Sequence, residues 1–278
     1  RQAGIRRDEC QRRKALSRCL GRCFYYCCCC YVWRRLCCCA RAAVAALAIS
    51  PADPPAARLA DGADNICLLA AFADQIYANR LGCQTRAVFA YDERLRLLPA
   101  YLQQLEMESN GKRVTLDGAP LAQQSAPITW GGVGTDAQHA VFQLLHQGTH
   151  LVPVDFIASI APGDELDPAH HRILLMNCFA QGAALMAGKQ GADPARNYPG
   201  DRPSATILCD DLDAAALGAL IAFHEHRVFA SAVLMGINPF DQFGVELGKQ
   251  MAKAIEQGGE AFDASTEGLL EAAGLASG

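Results

Sequence analysis

Nowhere in its 278 residues does the chain carry a GxGxxG turn, a P-loop or an HExxH pair, and no segment of it repeats. Those absences remove the dinucleotide fingerprint, the phosphate-cradling loop and the helical zinc-hydrolase motif as starting points. His224 and His226 stand two apart, a spacing that does not bring both rings onto one helical face, and are read as structural. Also missing is an uninterrupted apolar run of about 20 residues, the length a membrane-crossing helix needs. The apolar stretch nearest to that length is cut by Arg34, Arg35 and Arg41. Two central arginines alone would cost roughly 5–7 kcal/mol on an insertion scale. Nor is there a large excess of positive charge: the formal net charge of -4 gives no general affinity for nucleic acid.

What is present is unevenly distributed. The stretch CFYYCCCCYVWRRLCCCA, residues 23–40, holds eight of the fourteen cysteines, and ten of the fourteen precede residue 40. Residues 1–41 carry eleven Lys and Arg against Asp8 and Glu9, whereas the remainder carries fourteen basic and twenty-seven acidic residues. A zinc site uses spaced cysteine pairs so that four thiolates converge, and adjacent side chains in the run Cys27–Cys30 diverge instead. A basic start and an apolar centre imitate a secretory signal, but no small-residue cleavage site follows. The genetic code offers another origin. A TGC repeat reads as Cys in one frame, Ala in the next and Leu in the third, so a GC-rich gene for an Ala- and Leu-rich protein yields Cys and Arg runs out of frame. Residues 1–60 are therefore expected to be an aberrant Cys/Arg-rich segment, a wrong-frame translation without a selected fold. The four other cysteines, Cys67, Cys83, Cys178 and Cys209, are scattered singly among apolar neighbours, as in a reduced cytoplasmic protein.

From residue 61 onward the pattern is regular. NICLLAAFADQIYAN has helical periodicity, and TRAVFAYD (85–92) reads as a short buried strand. DERLRLLPAYLQQLEMESNG gives a helix with Pro99 early and Gly111 at its exit. Strands are expected at 128–130, 149–159 and 205–210, and helices at 136–148, 167–189, 212–236 and 244–259. Apolar strands alternating with helices define an α/β fold, a parallel sheet covered on both faces. The very apolar helix 212–236 is expected to be largely buried.

Several polar residues fall where a helix should be apolar. The stripe Leu98, Tyr101, Leu102, Leu105 continues to Glu108, with Gln104 one turn behind it. A carboxylate at a helix C-terminus faces the negative end of the dipole, where its charge is disfavoured, a setting that suits a general base. The competing reading is a solvated helix-end glutamate. His146 lies in the last turn of its helix, where an imidazole can serve free carbonyls or take part in proton transfer. Lys249 lies near a helix N-terminus within the small apolar face Val245, Gly248, Ala252, Ile255. The dipole there disfavours an ammonium, unless the side chain extends to solvent.

These residues sit in QQLEMESNGK (103–112), WGGVGT (130–135), HAVFQLLHQGT (139–149), VPVDFIA (152–158), GDRPSATIL (200–208) and FDQFGVELGKQ (240–250). In order and spacing the set resembles the C-terminal half of the glucose-6-phosphate isomerase family over residues 64–278. The resemblance implies a three-layer αβα sugar-isomerase (SIS-like) domain over 61–278 and a cytoplasmic homodimer. It implies a sugar-phosphate substrate, no metal or organic cofactor, and no nucleic-acid or membrane partner. By resemblance Glu108 is the base that carries a proton between C2 and C1 through a cis-enediolate. His146 is the ring-opening residue, contributed across subunits. Lys249 assists ring opening, and Gln104 contacts substrate. The family's other signature, GGR-[FY]-S, is expected just before residue 40, where the chain reads CCCC and RRLCCC. The half that holds the family's phosphate loop has no counterpart here. A catalytically inactive relic or a dimerising module is therefore the alternative to an isomerase.

Overall fold

Strict alternation in the strands sends successive side chains to two different helical layers. The computed structural model describes residues 24–28, 44–47, 65–163, 165, 167–258 and 261–275. Its strands are β1 Phe24–Cys28, β2 Val44–Leu47, β3 Thr85–Tyr91, β4 Ile128–Val133, β5 Val154–Ser159 and β6 Ser204–Cys209. The helices are α1 Ile66–Leu81, α2 Leu98–Asn110, α3 Gly134–Gln147, α4 Pro168–Ala187, α5 Ala214–Met235, α6 Glu246–Gln257 and α7 Ala264–Ala272. The sheet order is β2-β1-β6-β5-β3-β4. β6, β5, β3 and β4 are mutually parallel, while β1 runs antiparallel to β6 and to β2. Of the Cys/Arg-rich segment, only these two short strands are described; the runs Cys29–Cys30 and Cys37–Cys39 lie outside the described residues.

Val88 and Ala90 on β3, Ile157 on β5, and Ala205 and Ile207 on β6 face one layer, packed under Ile66 and Ala70 of α1, Leu98 and Leu102 of α2, and Leu220 and Phe223 of α5. Their neighbours Ala87, Phe89, Tyr91, Phe156 and Ala158 face the other layer, with Phe142 and Leu145 of α3 and Cys178 and Leu185 of α4. A period-2 pattern that is apolar on both faces is what a parallel sheet between two helical layers demands. Phe89 gathers Phe142, Phe156 and Trp130 around it at centroid distances of 4.8, 6.3 and 6.0 Å. Helix ends follow local chemistry. Asn65 accepts from the Leu68 amide at 3.1 Å and Gly82 closes α1 in the left-handed region, while Asp213 caps α5 at the Ala216 amide.

The chain divides after Pro239 into two units. Residues 240–275 form the second, in which α6 and α7 carry no buried residue. Some boundaries depart from expectation, α2 beginning only at Leu98 within DERLRLLPAYLQQLEMESNG. The strand expected over 149–159 begins at Val154, after Pro153, and the strand expected over 128–130 runs on to Val133. Glycine permits the latter: Gly131 has φ +155, and a Cβ there would lie 1.8 Å from the Val88 carbonyl oxygen. Side chains would hold β4 away from β3 at that point.

Candidate active site

Pro99 sits in the first turn of α2, where its missing N–H has no helical partner to lose. The inner face of the helix is Leu98, Pro99, Leu102, Glu106 and Asn110. This corrects the stripe read from sequence. Tyr101 is 38% exposed and donates its hydroxyl to Glu225 at 3.1 Å, while Glu108 is exposed and Glu106 is 1% exposed. The sequence pattern put an aromatic inside and missed that a charged residue two positions from Glu108 has an internal ion-pair partner, Arg86. Gln104 and Glu108 share the outer face, with Gln104 Nε2 donating to Glu108 Oε2 at 3.1 Å. Lys112 Nζ donates to the Glu108 carbonyl oxygen at 2.9 Å, tying down the turn that carries it. The carboxylate is thus oriented by a neighbouring amide and open to solvent.

His146 occupies the last turn of α3, half-buried, with Nε2 2.8 Å from Gln181 Oε1. Phe142 and Tyr198 pack around its ring at 5.9 and 6.1 Å. His139 lies seven residues earlier, so on the same side of the helix, and is exposed with no hydrogen bond among the described residues. Sequence reading passed over His139; its signal was an imidazole in the polar first half of the helix. α2 and α3 belong to opposite layers of the sheet. Among the described residues no hydrogen bond joins Glu108 to either imidazole.

Lys249 lies in the first turn of α6, in the unit beginning at Phe240, and is exposed together with Val245, Gly248 and Ala252. The apolar face expected to enclose it is not buried within that unit. At the carboxyl end of β4 a cavity of about 280 Å³ is lined by Phe89, Trp130, Gly132, Asp136 and Ala140 among others. None of the four residues singled out by resemblance lines it.

The strongest electrostatics lie beneath α2. Asp74, Arg86, Glu106, Asp155 and Arg227 are all buried, and Arg227 donates to both Asp74 oxygens at 2.7 and 2.6 Å. Burial pushes the Asp74 carboxyl up, but the charges and hydrogen bonds of Arg227 and Arg86 outweigh it and hold the group below the usual carboxylate range. Asp74, Arg86 and Asp155 stand in the apolar segments AAFADQIYA, TRAVFAY and VPVDFIA, which was the available sequence signal. Burial raises the thiols of Cys178 and Cys209 to about 12 and those of Cys67 and Cys83 to about 11, so none is a nucleophile at neutral pH. Among the described residues, no three or more His, Cys, Asp or Glu side chains are grouped to hold a metal ion. No helix among them is long and apolar enough to cross a membrane.

Four parallel strands between two helical layers define a three-layer α/β protein. A hypothetical protein from Thermus thermophilus shares the fold at a TM-score of 0.56 and 21% identity, over 70% of this chain and 46% of that one. The chain belongs to the phosphoglucose isomerase family, whose model matches residues 58–270. It is 79% identical over 221 residues to the glucose-6-phosphate isomerase of Erythrobacter litoralis and 77% identical over 216 residues to that of Sphingopyxis alaskensis. In both cases 78% of this chain aligns, and it spans 43% of the relative's length. The crystal structure of the Chlamydia trachomatis glucose-6-phosphate isomerase superposes with a TM-score of 0.71 at 37% identity, covering 76% of this chain and 42% of that one.

Proposed function

We propose that this chain carries the proton-transfer portion of a cytoplasmic glucose-6-phosphate isomerase that interconverts glucose 6-phosphate and fructose 6-phosphate. The observation that carries the reading is the solvent-facing Glu108 carboxylate, oriented by Gln104, in a member of this family. Glu108 removes the proton at C2, a cis-enediolate forms, and the same carboxyl returns the proton to C1. Gln104 contacts the sugar. Ring opening needs a proton at the ring oxygen, and α3 offers two imidazoles. The resemblance assigns His146; the free, exposed ring of His139 is better supported for that transfer, because the His146 nitrogen is already engaged by Gln181. Either ring meets Glu108 only from a second copy, so the reading includes a homodimer. Lys249 assists ring opening from its helix N-terminus.

The test is exchange of the substrate C2 proton with solvent. Loss of a positioned base costs about 10²–10⁴ in rate, so Glu108→Gln should slow exchange and isomerisation together, and unchanged exchange would sink the assignment. His139→Ala and His146→Ala, compared on ring-closed substrate, decide between the imidazoles: the larger loss marks the proton donor. A second reading, a catalytically silent module, is favoured by the 43% span of the relatives. Turnover of the whole gene product, and its loss in Glu108→Gln, separates the two.

A further inference from the structure

The last turn of α2 is fastened from below by buried charge rather than by apolar packing. Arg86 on β3 donates through one terminal nitrogen to Asp74 at 2.9 Å and through the other to Glu106 Oε2 at 3.0 Å. Glu106 Oε1 accepts from Asn110 Nδ2 at 3.0 Å, and the same amide donates to the Val228 carbonyl on α5 at 3.0 Å. Arg227 closes the set, donating to Asp74 and, at 2.6 Å, to Asp155 on β5. Arg86, Glu106 and Asn110 are 2%, 1% and 0% exposed. Three carboxylates and two guanidiniums are therefore held in the interior, leaving an excess of one negative charge.

Stability does not account for this arrangement, since apolar side chains of similar volume commonly serve a core as well or better than buried ion pairs. Direction does. Apolar contact is indifferent to small rotations of a helix, whereas charge-assisted hydrogen bonds fix both distance and angle. Glu106 and Asn110 are one turn apart on the inner face of α2, and Gln104 and Glu108 are one turn apart on the outer face. Hooks on one side set the roll of the whole turn. Side-chain ends lie about 5–6 Å from a helix axis, so a roll of about 10° displaces the Glu108 carboxylate by about 1 Å, and a misplacement of that size can cost about 10²-fold in rate.

We infer that the Arg86–Glu106–Asn110 arm is a positioning device that fixes the aim of Glu108 and Gln104 from the opposite side of their helix. The inference rests on the reading of Glu108 as the base. Glu106→Gln keeps the volume but turns an amide donor toward Asn110 or Arg86, so one hook is lost. Asn110→Ala is the gentler second variant, because every charge stays paired.

Amide hydrogen exchange on the 278-residue chain reads the mechanical effect. Peptides over 104–112 should exchange about tenfold faster or more in either variant, with changes within about threefold over 66–81 and 85–91. Equal acceleration in all three segments would mean a merely structural role and overturn the inference, as would no change at all. The gene product that shows isomerase turnover reads the chemical effect. There kcat should fall by about 10–100-fold with KM within about threefold, and C2-proton exchange should fall in step. An unchanged kcat alongside a loosened turn also overturns it. Absence of turnover in the whole unsubstituted gene product sinks the isomerase reading instead, and the exchange experiment then decides this inference alone.

Discussion

Acidification should destabilise the larger unit through one residue that takes no part in the proposed chemistry. His224 on α5 is 1% exposed, edge-on to Phe223 at 4.9 Å, and its Nε2 has no hydrogen-bond partner among the described residues. Burial first, and then the charges of Arg227 and Arg86, hold its pKa well below 6.5. The folded protein keeps the ring neutral, while the unfolded chain protonates it near pH 6.5. Below that pH the unfolded state binds the extra proton, so stability is full above about 6.5 and is lost as pH falls. The slope is about 1.4 kcal/mol per pH unit, or about 2 kcal/mol between pH 6.5 and 5.0. For a unit of this size that is a fall of about 4–8 °C in Tm. Asp74 does not blur the result. Its lowered carboxyl contributes stability that is complete above its unfolded value near 4 and is lost only below that. Urea unfolding followed by circular dichroism at pH 7.5, 6.5, 5.5 and 5.0 reads the slope, and His224→Leu should flatten it. Parallel profiles for the two proteins would refute the reasoning.

Two further outcomes follow from other regions of the structure. Gly131→Ala drives a methyl group into the β3 backbone at Val88, and relaxation must separate a pair of hydrogen-bonded strands; the cost should be about 3 kcal/mol or more, measured as a shift in the urea midpoint at unchanged m-value. The 278 residues alone should form fructose 6-phosphate far more slowly than about 10 per second, a typical enzyme rate. The phosphate is the substrate's largest handle for binding energy, and the resemblance places its grip outside the 43% of the relatives that the chain spans. Turnover at or above that rate in a sample with native near-ultraviolet dichroism would refute this.

The α/β pattern was legible because it rests on periodicity. TRAVFAY and VPVDFIA announced buried strands, whereas Asn65, Asp213 and Gly236, read as part of their helices, prove to be the caps. The exposed face of α2 was less legible. Hydropathy ranked Tyr101 as interior and Glu106 as exterior, yet Tyr101 found Glu225 at the surface and Glu106 found Arg86 inside. A scale that prices one residue at a time carries no information about a partner twenty positions away in sequence. Lys249 illustrates a different limit. Its apolar setting was inferred from helix periodicity, and α6 is indeed strongly amphipathic, but periodicity specifies a face and not what covers it.

The layer arrangement imposes a stricter condition on the chemistry than any single residue does. Glu108 points outward from the layer formed by α1, α2 and α5, while His139 and His146 ride on the layer formed by α3 and α4. The sheet and both apolar interfaces lie between them. On the proposed function, a proton removed at C2 by Glu108 and a proton delivered to the ring oxygen by an α3 imidazole are assigned to two copies of the fold. If that proposal holds, mixing chains carrying Glu108→Gln with chains carrying the decisive histidine substitution should restore one intact site in each mixed dimer. Activity in the mixture no greater than in either variant alone would count against a shared site and against the layered logic that requires it.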